Sequence, residues 1–154
     1  EEDKIEVELG KILGLATAER FVPAEIAVSA HCHRVPTLDG HLEAVSVELD
    51  RPPTPEAAMA ALAAFRGDIE GLKLPTAPSP PIVVRREPDR PQTRLDRDCG
   101  GGMTVVVGRV RACPVLTLRF VVLSHNMVRG AAGGAVLNAE LLAAKDLLPR
   151  RSRA

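Results

Sequence analysis

Tryptophan and tyrosine are absent from the 154 residues, and phenylalanine occurs only three times. A core must therefore be built from Val, Leu, Ile and Ala, and the aromatic platforms on which nucleobases stack are missing. An excess of one charge is missing too. Twenty Lys and Arg balance twenty Asp and Glu, so no overall field recruits nucleic acid or an anionic membrane. No apolar run reaches membrane-spanning length, and no signal-peptide pattern opens the chain. Cysteine is scarce: Cys32, Cys99 and Cys113 are an odd set without CxxC spacing. That argues against a disulfide framework or a zinc ribbon and for a reducing cytoplasm. The chain opens on Glu rather than Met, so an excerpted polypeptide is expected, and its basic end "PRRSRA" reads as a short solvated tail.

The length suits one compact domain. "EEDKIEVELGKIL" predicts a helix, with Ile5, Leu9, Ile12 and Leu13 at three-and-four spacing and Gly14 as its stop. "EIAVSAHCHRVP" predicts a strand closed by Pro36, and the turn "PTLDGH" leads into a second strand, "LEAVSVEL". Thr54 and Pro55 announce a helix over "RPPTPEAAMAALAAF" as N-cap and first helical residue. Residues 67–81 read as an irregular connection, "PIVVRRE" as a short strand, and "EPDRPQTRLDRDCGGG" as a long polar loop. The β-branched runs "MTVVVGRVRA" and "VLTLRFVVLS" predict an antiparallel pair around Pro114. The last element, 128–148, is helical in period but rich in Gly and Ala at its start, which implies a close approach to its backbone. The order αββαβββα predicts an α+β domain, a mixed and largely antiparallel sheet with helices on one face.

Several polar groups could carry chemistry. Arg34 offers a planar fork that suits a carboxylate or phosphate, and His41, seven residues on, a proton carrier near neutrality. Spacing alone leaves two readings open: ordinary surface polars, or one wall of a site. "HCH" at 31–33 suggests metal, but a strand turns His31 and His33 to one face and Cys32 to the other, so no metal is expected. Glu1 and Lys4 share one side of the first helix and read as a routine solvated pair. Arg109 and Arg111 share a strand face, which is an anion site or simply the solvent side of an edge strand. Asn126 stands before the glycine-rich helix, whose N-terminus suits an amide or phosphate ligand, although no dinucleotide fingerprint surrounds it. Tight helix packing explains the glycines equally well.

Taken together, "EEDK…KIL", "VSAHCHRVPTLDGHLEAVSVEL", "RPQTRLDRDCGGGMTVVVGRVR" and "HNMVRGAAGGAVLNAELL" resemble, in order, the C-terminal half of the aspartate-semialdehyde dehydrogenase family in the branch known from archaea and fungi. The resemblance implies a domain like the C-terminal one of glyceraldehyde-3-phosphate dehydrogenase, spanning 1–154. It also implies NADP as cofactor and reduction of β-aspartyl phosphate on the route to lysine, methionine and threonine. By resemblance, Arg34 grips the substrate α-carboxylate, Glu1 meets its amino group, Lys4 lies at the phosphate site, His41 is the acid/base, and Asn126 lies near the nicotinamide. The expected partners are that small amino-acid-derived substrate, phosphate and further copies of the chain, as a dimer or tetramer. The family's nucleophilic cysteine and nucleotide site belong to an N-terminal Rossmann domain, to which residues 128–148 would return. None of the three cysteines here matches the nucleophile's motif, so the chain alone is expected to be inactive. His31 and His33 stand where that branch is expected to carry Thr and Asn. A malonyl-CoA reductase fragment and a non-catalytic dimerisation module are the alternatives.

Overall fold

A computed structural model describes residues 1–148, and the expected basic tail lies outside them. The chain divides into two compact units, Glu1–Pro36 and a larger one from Thr37 onward.

In the first unit the expected helix forms as α1, Glu2–Ile12. Its apolar stripe is not covered: Ile5, Leu9, Ile12 and Leu13 all remain exposed. A two-stranded ladder that the apolar pattern did not announce follows, with β1 (Leu15–Ala16) antiparallel to β2 (Phe21–Val22). The strand expected over 25–36 is absent, and residues 23–35 carry no regular structure. The physical reason lies in where its backbone donors go. Ala24 N–H donates to the Gly10 carbonyl at 2.8 Å, Ala30 N–H to Glu6 Oε1 at 2.8 Å, and Cys32 N–H to Glu2 Oε1 at 2.6 Å. Two residues of extended chain advance about 6.6 Å, close to the roughly 6 Å that four residues rise along a helix. Alternate N–H groups of the segment therefore meet carboxylates one helical turn apart, running antiparallel to α1. Gly10 permits the approach, since a Cβ there would sit 2.9 Å from the Ala24 carbonyl oxygen. Backbone donors need an acceptor, but it does not have to be another strand.

The larger unit is a four-stranded mixed sheet in the order β3 (His41–Val47), β6 (Leu118–Ser124), β5 (Val105–Ala112), β4 (Ile82–Arg85). The first two neighbour pairs are antiparallel, including the expected β5–β6 pair, and β4 runs parallel to β5. Adjacent Val106 and Val107 are both buried, so β5 is covered on both faces, as its near-continuous β-branched run suggests. Helix α2, Pro55–Ala64, starts where Thr54 places it: extended backbone at the cap, and Oγ1 accepting from Ala57 N–H at 3.2 Å. α2 packs against β4 and β5. Between α2 and the sheet lies an apolar cavity of about 370 Å³, lined by Val47, Val110, Leu118 and Phe120.

The polar stretch after β4 is more ordered than its composition suggested. It holds a short helix α3, Thr93–Asp96, and a 3₁₀ turn, Cys99–Gly102. Its anchor is Asp96, 1% exposed. Asp96 accepts from Arg85 Nε at 3.1 Å, from Arg90 Nε at 2.6 Å and again from Arg90 Nη2, and from Gln92 N–H at 2.8 Å. The element over 128–148 begins as a π-helical turn, Val128–Ala132, and continues as α4, Gly133–Ala144. Its glycine has the close neighbour the composition implied, because a Cβ on Gly133 would meet Met103 Sδ and the Val128 carbonyl. Leu137 joins Leu74 and Met103 in a small core, and Glu140 accepts from Thr76 N–H at 2.9 Å and from the Thr76 hydroxyl.

Burial alone would raise the Asp96 carboxyl, but the Arg90 hydrogen bonds, the Gln92 N–H and the charges of Arg90 and Arg85 outweigh it and hold the group below the usual carboxylate range. A depressed acid stabilises the fold fully above the ordinary carboxylate range and loses that contribution as pH falls from there through its lowered value. Asp96→Asn should cost on the order of 3 kcal/mol in urea denaturation at neutral pH. The difference from wild type should shrink as the pH falls below about 4, and a gap that persists unchanged in acid would rule out the ion pair as its source.

Candidate active site

Within the first unit, α1 and the tethered segment bring two of the candidates together. Arg34 Nη2 donates to Glu1 Oε2 at 2.9 Å. The pairing follows from the tether, because a segment held at Glu6 and then Glu2 delivers Arg34 to the start of the helix. The two side chains are 91% and 58% exposed, so the pair adds little to stability and its charges are open to exchange with a charged ligand. Lys4 is not Glu1's partner; its Nζ lies 3.5 Å from Glu8 Oε1, one turn along the helix. The routine pair read from the sequence is thus replaced by two others. A zwitterion meets complementary groups at Arg34 and Glu1, a guanidinium fork for its carboxylate and a carboxylate for its ammonium. His31, Cys32 and His33 are exposed, in an irregular segment rather than a strand. Among the described residues no three His, Cys, Asp or Glu side chains gather as a metal cluster.

Within the second unit, His41 is the first residue of β3, exposed and opposite Ser124 at the end of β6. Asn126, two residues beyond Ser124, reaches back across the pair. Its Oδ1 accepts from Gly40 N–H at 2.8 Å. The carboxamide thereby closes the ladder one residue past its last strand pair and holds the backbone that presents His41. With the oxygen committed, the Asn126 NH₂ has no protein partner among the described residues.

Gly40 is required at its position. Its φ is +100°, and a Cβ would lie 3.1 Å from Leu123 Cδ1 and 3.5 Å from both Thr93 Cγ2 and Arg97 Cβ. The polar loop thus backs the same turn that carries His41. The sequence marked this "DGH" only as a turn; the close approach of α3 was not visible in it.

One neighbour was missed. His125, between Ser124 and Asn126, is buried, with Nδ1 enclosed and without a partner among the described residues and Nε2 3.8 Å from Asp98 Oδ1. Gly102, at φ +80°, lies against it, since a Cβ there would be 3.0 Å from His125 Cδ2. The available signal was alternation: at a strand end, the residue between two outward groups points inward.

The larger unit is thus a mixed-sheet α+β domain with an imidazole and a carboxamide at one strand end, and the first unit carries a Glu–Arg pair of its own. Residues 1–129 match the family described as semialdehyde dehydrogenase, dimerisation domain, and the chain belongs to that family. It is 51% identical over 148 residues to the aspartate-semialdehyde dehydrogenase of Archaeoglobus fulgidus, across 96% of this chain and 42% of that protein. The NADP-dependent malonyl CoA reductase of Metallosphaera sedula is 45% identical over 129 residues, 82% of this chain and 36% of that protein. The crystal structure of aspartate semialdehyde dehydrogenase with NADP from Candida albicans superimposes with a TM-score of 0.87 at 46% identity, covering 96% of this chain and 43% of that one. The chain therefore spans well under half the length of the relatives it matches.

If Asn126 holds the Gly40 backbone as described, Asn126→Ala should speed amide exchange at Gly40 about tenfold, the effect of losing one hydrogen bond. Asn126→Asp, which keeps the acceptor, should leave that amide protected. Equal exchange in both variants would remove Asn126 from this role.

Proposed function

We propose that the chain is the C-terminal substrate-binding and dimerisation part of an NADP-dependent aspartate-semialdehyde dehydrogenase. Such an enzyme reduces β-aspartyl phosphate to the semialdehyde and releases inorganic phosphate, as a cytoplasmic step of lysine, methionine and threonine biosynthesis. The observation that carries this reading is the Arg34–Glu1 pair at the start of α1. It offers opposite charges side by side where an amino-acid-derived substrate needs both.

In this reading Arg34 binds the substrate α-carboxylate, Glu1 its ammonium, and Lys4 the phosphate. Lys4 is well placed for exchange because Glu8, its present partner, is also exposed. His41 moves the proton that thioester chemistry requires when a thiol attacks an acyl carbon and later departs. The nucleophilic thiol and the nucleotide domain would lie in the remainder of a longer protein, to which residues 128–148 would return, and this chain alone would be inactive. NADPH, when bound, supplies the hydride. Asn126 fits an amide or carbonyl of that cofactor, because its NH₂ has no protein partner among the described residues while Gly40 orients its oxygen. Copies of the chain would associate through this domain, as the family's description implies.

Malonyl-CoA reduction is the second reading, supported by the Metallosphaera relative. A CoA thioester of malonate has no ammonium, so it would leave Glu1 without a group to bind. Assays of the complete enzyme with NADPH and each acyl donor separate the two.

In the complete enzyme Arg34→Lys should raise KM for aspartyl phosphate about tenfold or more with a smaller change in kcat, because a point charge does not reproduce a fork. An unchanged KM would take Arg34 out of the carboxylate site. His41→Asn should lower kcat by roughly 10²–10⁴ with KM little altered, and a wild-type rate would end the acid/base assignment.

A further inference from the structure

The far end of β5 and β6 holds a second concentration of charge, separate from the groups above. Arg111 and Arg119 stand directly opposite each other in the antiparallel ladder. Directly opposed like charges destabilise a strand pair. The ladder is irregular between Gly108 and Arg111, and within that bulge Arg109 adopts φ +55°. A left-handed arginine in a bulge is a costly conformation of the sort that re-aims a side chain. It adds a third cation, and Arg111 Nη1 donates to the Arg109 carbonyl at 2.6 Å, tying the two together.

Among the described residues no carboxylate forms an ion pair with any of the three. Burial, followed by the charges of Arg119 and then Arg109, pushes the Arg111 guanidinium below its ordinary value, and the Cys113 thiol is the one group acting the other way. Among the described residues these like charges are thus partly desolvated with no carboxylate to neutralise them, and Arg119 Nε is enclosed without a hydrogen-bond partner. Sequence left Arg109 and Arg111 as either an anion site or a solvent face. Arg111 and Arg119 are half-buried rather than fully solvated, and Arg109 is exposed.

We propose that Arg109, Arg111 and Arg119 form a binding site for a multiply charged oxoanion of the phosphoryl class. Guanidinium forks present paired N–H donors to such an oxyanion, and neutralising the group removes the repulsion across the ladder. The site lies along β6 from His41's partner Ser124, five residues or about 17 Å of strand away. It is therefore a place for a second ligand and is independent of the function proposed above.

The test is a titration of the protein with inorganic phosphate, against chloride at matched ionic strength, following the arginine Nε–H resonances by NMR. Phosphate should give saturable shifts at these arginines that chloride does not reproduce. Arg109→Gln, at an exposed position, and Arg111→Gln should each weaken binding about tenfold, the effect of losing a charge-assisted hydrogen bond. Arg94→Gln, exposed on α3, should leave it unchanged. Melting temperatures read alongside establish that each variant is folded, and wild type should melt higher with phosphate than with chloride. Equal shifts with chloride, or unaltered phosphate affinity in folded Arg109→Gln, would overturn the site. Arginine resonances that respond to protein concentration and not to phosphate would also overturn it, assigning the cluster to carboxylates of a second copy.

Discussion

One buried carboxylate organises the larger unit. Asp96 uses both its oxygens on Arg90, Arg85 and the Gln92 backbone, and each bond ties a different piece of chain to it. Arg85 ends β4, so that bond joins the loop to the sheet edge. Through Arg90 the loop presses on β5 so closely that a Cβ on Gly108 would overlap the Arg90 carbonyl oxygen. Helix α3, which Asp96 itself closes, places Thr93 against Gly40, with Arg97 just beyond the helix beside it. A charge so enclosed is tolerated only because its hydrogen bonds are complete. The dependence runs from Asp96 to the turn that presents His41.

The first unit rests on a different device with similar logic. Glu2 and Glu6 act as acceptors for backbone N–H groups, replacing the strand ladder that residues 30–32 would otherwise need. The same tether carries Arg34 to Glu1. Both units thus use carboxylates to position irregular chain next to the residues proposed to bind substrate. This also explains how a protein with so few aromatic side chains and a small aliphatic core holds long irregular segments in place: they are held by hydrogen-bonded charge more than by packing.

Elements whose signals are local were readable. Thr54–Pro55 gave a correct helix start because the cap bond spans three residues. The β5–β6 pair was readable from two β-branched runs around a turn, and the family from the order of its motifs. The strand expected over 25–36 failed because an extended, half-apolar segment does not specify which acceptor takes its donors. The exposed stripe of α1 marks the same limit: periodicity announces an apolar face but says nothing of what covers it. The 87–102 stretch read as loop because its order comes from one buried ion-pair network, invisible in a list of arginines and aspartates.

By itself, the sequence determined the class of fold, the starts of α1 and α2, the cores of the four strands of the main sheet, and which side chains could do chemistry. These depend on neighbours a few residues apart, where propensity and period act directly. Only the tertiary structure decided that Glu1 meets Arg34 rather than Lys4, that Asn126 holds Gly40, and that Arg111 and Arg119 stand opposed. Each of those pairings except Arg111 with Arg119 joins positions more than thirty residues apart. Even that hairpin pair depends on a bulge that shifts the register. A partner is selected by the closing geometry of the chain, and composition sets no such geometry.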